Sequence, residues 1–304
     1  THCRVIFSAS KCYFCFLIKF LTDKIIIMDS GKQPEIYFHV GLGRTATTFM
    51  QRSIFPMFND IYYIKKNKYK NADRIIRSTQ LPKYLISHEF YSGVLINEMT
   101  GFLKKYPEAH IIIVLRRQDK WMASHYKRRV KNGYSGTIKD YIDLQNDNGL
   151  CKKQDLLFYP MLLALNNLVI HKPLILFHHE LKDSPQAFLQ KILDFTGVKD
   201  TRHISFKPRH TSYNDKALKV RQWLSQDTPF RELSKDHNPW PLKELKRFYN
   251  KIIRYTALNI GMMIPGSWVR DRQIIPEDYL KEIKEFSKDD WEKCLEHAAA
   301  NNPV

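Results

Sequence analysis

Cysteine is scarce in this chain of 304 residues, which has five cysteines at scattered positions. Cys12 and Cys15 form a Cys-x-x-Cys pair, but no second cysteine or histidine pair follows at the spacing of a zinc site. The sequence therefore gives little support to a metal or redox centre, and we expect none. The same usage fits a reducing compartment.

The first 34 residues lack an apolar run long enough to cross a membrane. The longest uncharged stretch, between Lys11 and Lys19, has seven residues, whereas a spanning helix needs about 20. The first methionine, Met28, comes just before the first predicted strand. We expect residues 1–34 to be a leader, either upstream translated sequence or disordered, and the protein to be cytoplasmic without a membrane anchor. The alternative is a signal anchor of the Golgi type in residues 12–27.

Acidic residues are few compared with basic ones: 31 Asp and Glu stand against 49 Lys and Arg, for a net charge of +18. Such a charge indicates an anionic partner, which could be a nucleotide, an acidic glycan, a nucleic acid or a membrane surface. The alternative is a generally lysine-rich surface with no specific partner. The length and a hydrophobic content of 43% suit one α/β domain, which we place at residues 35–304.

The segment from Glu35 to Pro56 predicts a strand, a glycine turn and a helix. Ile36, Phe38 and Val40 form a short apolar run, and Gly41 and Gly43 allow unusual backbone angles and close approach of a ligand. A glycine turn that feeds a helix start is an anion site. Against the template G-x-x-x-x-G-K-[ST], the second glycine is Ala46 and the lysine is Thr47, so the triphosphate-binding lysine is missing. A structural junction without a ligand is the alternative.

The loop Gly43-Arg44-Thr45-Ala46-Thr47-Thr48-Phe49 resembles the 5′-phosphosulfate loop of sulfotransferases, P-K-S-G-T-T-W. These enzymes use 3′-phosphoadenosine 5′-phosphosulfate (PAPS) and release its desulfated product, PAP. The resemblance implies that residues 43–48 bind the phosphosulfate and that Arg44 replaces the family's catalytic lysine, with a different reach. Ala46 replaces a glycine, so its methyl group must not crowd the sulfonate.

Lys83 to Ser87 predict a second buried strand that ends in His88-Glu89-Phe90. Polar residues at the carboxyl end of a parallel strand lie where α/β ligand sites form. The resemblance implies a catalytic base just after this strand, either a histidine or a glutamate. Histidine has the natural pKa for a base near neutrality, but we favour Glu89 slightly over His88. The alternative is that both residues only cap the loop.

Ile111 to Leu115 are the strongest strand of the sequence, with an unbroken apolar run typical of a strand covered on both faces. Arg116 follows at once, and Ser124 comes eight positions later. A guanidinium at a strand end can make a forked contact with a phosphate, and a helix would bring the hydroxyl back beside it. This spacing resembles the family's 3′-phosphate motif, which implies that Arg116 and Ser124 bind that group.

Two later segments supply further candidate nucleotide contacts. Pro173 to Phe177 predict another strand, and the following His178-His179-Glu180-Leu181 is similar to the family's Y-E-D-L segment, so His178 would pack on adenine. A metal site at His178 and His179 is the alternative, but adjacent strand residues face opposite sides. In a basic loop, Lys207, Arg209 and Ser212 are candidates for the 3′-phosphate.

We therefore expect a three-layer α/β fold with a central parallel sheet flanked by helices, like the P-loop NTPases. The predicted function is sulfuryl transfer from PAPS to a hydroxyl or amine, and the basic helices fit a carbohydrate such as an acidic glycan. A P-loop kinase or NTPase is the first alternative. The strong strand ends in Arg116-Arg117 instead of the Walker-B acid, which disfavours that alternative. A basic nucleic-acid-binding protein is the second alternative; we expect no specific nucleic acid.

Overall fold

A parallel sheet organises the computed structural model, which describes residues 33–206, 213–225, 240–269 and 273–303. In these ranges its five strands are β1 (Glu35–Leu42), β2 (Tyr62–Ile64), β3 (Lys83–Phe90), β4 (His110–Leu115) and β5 (Leu174–Phe177). They lie side by side in the order β2-β3-β1-β4-β5, and every pairing is parallel. All carboxyl ends therefore meet at one edge, where ligand sites of such sheets form.

The helices alternate with the strands along most of the chain. In order they are α1 (Thr47–Phe49), α2 (Ala72–Thr79), α3 (Ser92–Leu103), α4 (Gln118–Lys131), α5 (Ile138–Tyr141), α6 (Tyr159–Leu168), α7 (His178–Asp183), α8 (Pro185–Thr196), α9 (Asp215–Trp223), α10 (Trp240–Met263), α11 (Glu277–Phe286) and α12 (Lys288–Asn301). A π-helical turn, Met50–Ile54, continues α1, and short 3₁₀ turns cover Phe55–Met57, Lys66–Asn71, Lys153–Leu156 and Gly266–Trp268. Among the described residues, none of the helices is long and apolar enough to cross a membrane.

Both faces of the sheet are covered, because strand residues alternate between two apolar cores. One side, which we call the loop face, carries Tyr37, Leu85 and Ile112 and packs against the turn after α1 and against α8. The opposite face carries Phe38, Ile86 and Ile113 and packs against α3, α4 and α6. This arrangement makes three layers, and it confirms the predicted fold class.

Several element boundaries differ from the sequence predictions. The second predicted strand runs to Phe90, so His88 and Glu89 belong to the strand itself, and the sequence did not assign the short edge strand β2. The C-terminal tail forms two helices, α11 and α12, which meet at Ser287. Of the predicted leader, residues 1–32 lie outside the described residues, and the domain boundary at residue 35 stays a prediction.

Candidate functional site

The turn after β1 is held in an uncommon backbone conformation. Arg44 has a φ of 72° and Ala46 has a φ of 65°, and both are left-handed. For residues other than glycine this region costs about 1–2 kcal/mol. Gly41 and Gly43, which were expected to supply such angles, do not have a positive φ. The reason for a glycine at 41 is space, because an added Cβ would lie 2.6 Å from Oγ1 of Thr47.

The three threonines of the turn differ in orientation. Oγ1 of Thr45 donates a hydrogen bond to the carbonyl of Leu42 at 2.6 Å, and Oγ1 of Thr47 donates to the same carbonyl at 3.4 Å. Both side chains are buried, whereas Thr48 is exposed. Two of the threonines therefore brace the turn against the end of β1, and Thr48 keeps its hydroxyl accessible.

Helix α4 holds the turn from the other side through the carbonyl of Gly43. Nε1 of Trp121 donates to this carbonyl at 2.8 Å, and Nε2 of His125 lies 2.9 Å from it. Because a carbonyl only accepts, His125 carries its proton on Nε2. Burial lowers the pKa of His125 to about 4, so the ring is neutral near pH 7. One further bond, from Nη1 of Arg116 to the carbonyl of Arg44 at 3.2 Å, completes the attachment.

The two arginines predicted to bind the donor converge at this point. Nε of Arg44 donates to Oγ of Ser124 at 2.8 Å, so the predicted 5′ and 3′ anion sites are in direct contact. Burial, and then the neighbouring Arg44, lower the pKa of Arg116, while burial and Arg128 lower that of Arg44. Within the described residues neither guanidinium makes an ion pair.

The Arg116 side chain also has an unused donor. Its Nε is buried and has no hydrogen-bond partner, which is costly for a charged group unless a ligand supplies the acceptor. The mutual repulsion of the two half-buried arginines also favours anion binding, because an anion between them would relieve it. The site is therefore electrostatically prepared for a negatively charged ligand.

Glu89 and His88 lie on opposite faces of β3. Glu89 pairs in register with Gly41 and lies on the loop face, since an added Cβ on Gly41 would lie 3.2 Å from Cγ of Glu89. Its carboxylate accepts a hydrogen bond from Nζ of Lys66 at 2.8 Å. His88 faces the other way and stacks on Tyr69, with ring centroids 4.3 Å apart. Burial, and then Lys66, lower the pKa of His88.

His178 and His179 do not continue β5, contrary to the sequence prediction; they begin α7. His179 stacks on Phe177 with ring centroids 5.7 Å apart, on the side of Trp291. Burial, and then Arg116, lower the pKa of His178 to about 4. His178 is thus a neutral ring within the electrostatic influence of the arginine pair. The other candidates, Lys207, Arg209 and Ser212, lie outside the described residues.

Comparisons with known proteins give a partial structural likeness. No family model matches the chain, and no curated protein matches it. A sulfotransferase from Alicyclobacillus acidocaldarius superimposes with a TM-score of 0.48 and 12% identity, over 59% of this chain and 87% of that one. Mouse sulfotransferase SULT7A1 complexed with PAP gives a TM-score of 0.37 and 14% identity, over 56% of this chain and 61% of that one. The likeness to these two chains is one of fold, and it covers part of this chain.

Sequence reasoning missed the two residues that hold the Gly43 carbonyl. Ser124 and His125 come three and four positions after Trp121, so all three side chains share one face of α4. That spacing was the available signal, and it went unused because only Ser124 matched a motif. The contribution of Lys66 was also missed, since the basic run at 65–70 gives no indication that one lysine pairs with Glu89.

Proposed function

We propose that the protein transfers the sulfuryl group of PAPS to a hydroxyl or amine acceptor. The proposal is supported above all by the convergence of Arg44, Arg116 and Ser124 at the carboxyl edge of the sheet. PAPS carries anionic groups at the 3′ and 5′ positions of one ribose and therefore needs two adjacent cation sites, and the buried free Nε of Arg116 provides a donor for one of them.

Each group has a role in this proposal. Arg116 and Ser124 bind the 3′-phosphate, and Thr48 with the backbone of the turn binds the 5′-phosphosulfate. Because Nε of Arg44 already donates to Ser124, the bound donor competes for that bond. The freed guanidinium of Arg44 then stabilises the charge that develops on the bridging oxygen. Thr45 and Thr47 serve by keeping the turn in place.

The chemistry is a single displacement at sulfur. The acceptor oxygen, or nitrogen, forms a bond to sulfur while the bond between sulfur and the bridging phosphate oxygen breaks. PAP leaves with that electron pair, and the acceptor proton passes to Glu89 as general base. Glu89 suits this role because it lies on the loop face beside Gly41. Lys66 orients its carboxylate.

The class of acceptor is inferred from the positive charge near the site. Arg128 and Lys131, near the end of α4, extend the positive charge of Arg44. Burial lowers the pKa of Lys131 most, and the nearby charges of Arg44 and Arg128 lower it further. An acidic acceptor such as a glycan would be attracted to this face. We propose a cytoplasmic location, with residues 35–304 as the catalytic domain.

Calorimetry with PAP and with ADP tests the donor assignment, because the 3′-phosphate distinguishes these nucleotides. We expect PAP to bind at least about tenfold more tightly than ADP, and Arg116→Ala to remove that preference. Arg117→Gln is the matched control, since Arg117 is adjacent but pairs with Asp119 at 2.8 Å. Equal affinities for PAP and ADP would support the NTPase alternative instead. Salt-sensitive RNA or DNA binding without PAP affinity would support a nucleic-acid-binding protein.

A further inference from the structure

Helix α10 presents a largely apolar surface to solvent. Its outer face consists of Leu242, Leu245, Phe248, Tyr249, Ile252 and Met263, all of which are exposed. Phe248 retains 62% of its accessible surface and Met263 retains 85%. At about 100° per residue these positions span an arc of roughly 120°, the width of the apolar stripe that a helix normally buries. Exposed apolar surfaces of this extent mark interaction sites.

The other side of α10 is fixed to the rest of the molecule. Ala257, Leu258 and Gly261 are buried, and they lie on the opposite side of the helix from the outer face. At Gly261 the helix approaches α9 so closely that an added Cβ would lie 2.8 Å from Cα of Ala217. The helix therefore cannot rotate to bury its outer face without losing this contact with α9.

The charge of α10 distinguishes between possible occupants of the outer face. Residues 240–263 include Lys243, Lys246, Arg247, Lys251 and Arg254 but only one acid, Glu244, so the segment has a net charge of +4. A second copy would bring another +4 helix, on another chain of charge +18, against it, which is unfavourable. An anionic lipid surface has the complementary charge, and each nearby Lys or Arg adds about 1 kcal/mol of attraction.

The aromatic residues around the helix point to the same occupant. Trp240 begins α10, Trp223 ends the neighbouring α9, and Trp268 follows the far end of α10; all three are exposed. Tryptophan is enriched at the level of lipid headgroups, where its ring lies among apolar groups and its N–H remains hydrated. A basic amphipathic helix with Phe and Leu on its apolar side is typical of segments that lie in a membrane surface.

We propose that α10 lies in the headgroup region of an anionic membrane, with the outer face buried among the upper acyl chains. At about 1.5 Å per residue, its 24 residues would extend roughly 36 Å along the bilayer plane. Association is peripheral and reversible, through apolar burial and charge together. It is independent of the proposed catalytic activity, and it differs from an anchor that spans the bilayer.

Vesicle flotation of the full chain tests this proposal. We expect binding to phosphatidylcholine vesicles that contain about 30% phosphatidylserine, and at least about tenfold weaker binding to phosphatidylcholine alone. Binding should weaken as salt rises, because screening reduces the attraction. The variant Leu245→Glu/Phe248→Glu should lose at least about tenfold in partitioning, since it puts two charges into the outer face.

The matched control is Leu150→Glu/Ile170→Glu, which makes the same charge change at two other exposed apolar residues and should bind nearly as the wild type does. Lys251→Glu tests charge alone, since Lys251 is exposed; it should weaken binding to the anionic vesicles only. Equal loss in the control and the outer-face variant would overturn the proposal, as would a wild type that ignores anionic vesicles. A wild-type dimer that Leu245→Glu/Phe248→Glu converts to a monomer would assign the outer face to a second copy and overturn it too.

Discussion

The two faces of β3 differ in a way that the sequence alone does not display. His88 and Glu89 are neighbours in the chain, yet only Glu89 shares the loop face with Gly41 and Thr47. His88 is stacked beneath Tyr69 on the opposite face, against the apolar core. The alternation of a strand thus separates a candidate base from a packing residue. Chemistry should depend on the loop face, and stability on both.

The largest expected difference between the faces is in turnover. Glu89→Gln should lower kcat by about 10²–10⁴-fold, because a general base contributes that much and an amide cannot accept the proton. His88→Gln should change kcat by less than about threefold, since that ring faces away from the turn. Single-turnover rates with PAPS and a phenolic or sugar acceptor measure both. A larger loss for His88→Gln would assign the base to the opposite face.

A second comparison concerns stability on the two faces of β1. Gly41→Ala should destabilise by about 1–3 kcal/mol, because the new methyl group meets Oγ1 of Thr47 on the loop face. Val40→Ala should destabilise by a similar amount, because the smaller side chain leaves a cavity in the core of the opposite face. Urea unfolding measures both. PAP affinity provides the contrast, since only Gly41→Ala should weaken it.

The loop face should also carry a dependence of stability on pH. Burial lowers the pKa of His39 to about 3 from its usual 6.5, and Nδ1 lies 2.8 Å from Oγ of Ser87. The unfolded chain therefore binds a proton more readily, and stability falls as the pH drops from 6.5 towards 3. By pH 5 the loss attributable to this ring should be about 2 kcal/mol. In His39→Asn, urea unfolding at pH 7 and pH 5 should differ less than in the wild type; an unchanged difference would show another cause.

The smallest effect is expected at Ala46. Ala46→Gly should give a net gain in stability of about 0.5–1 kcal/mol, because relief of about 1–2 kcal/mol of left-handed strain exceeds the about 0.5–1 kcal/mol of backbone entropy that glycine adds to the unfolded chain. Thermal unfolding measures this gain. Arg44→Gly would relax the same kind of strain but would remove the cation, so its turnover should fall while its melting temperature holds. A loss of stability in Ala46→Gly would mean that the methyl group packs usefully.

The sequence predicted the architecture better than the details of the site. Local sequence was enough to predict the strand at Ile111–Leu115, which is an unbroken apolar run. It was also enough to pick out Arg44, Arg116 and Ser124 by their motif positions, and the structure brings these three residues together. The face assignment of Glu89 and His88 depends on strand register, which a single sequence leaves open. The role of Gly41 was misattributed, because its reason is contact with Thr47 and not backbone freedom.

Other features depended on tertiary contacts that leave no local pattern. His178 begins a helix instead of continuing β5. The carboxylate of Glu180 caps this helix, because it accepts a hydrogen bond from the backbone N–H of Phe177 at 2.8 Å. The donation of Trp121 and His125 to one carbonyl depends on how α4 packs on the turn. Such contacts join segments that are distant in sequence, so they can be predicted only once the fold is known.

The two hydrogen bonds to the Gly43 carbonyl also affect how quickly the proposed donor can enter. Because α4 already fixes the turn, an arriving anion only needs to displace the side chain of Arg44 from Ser124, without waiting for the backbone to rearrange. Association should then be limited by diffusion and steering of charge, and the rate constant should fall steeply with ionic strength.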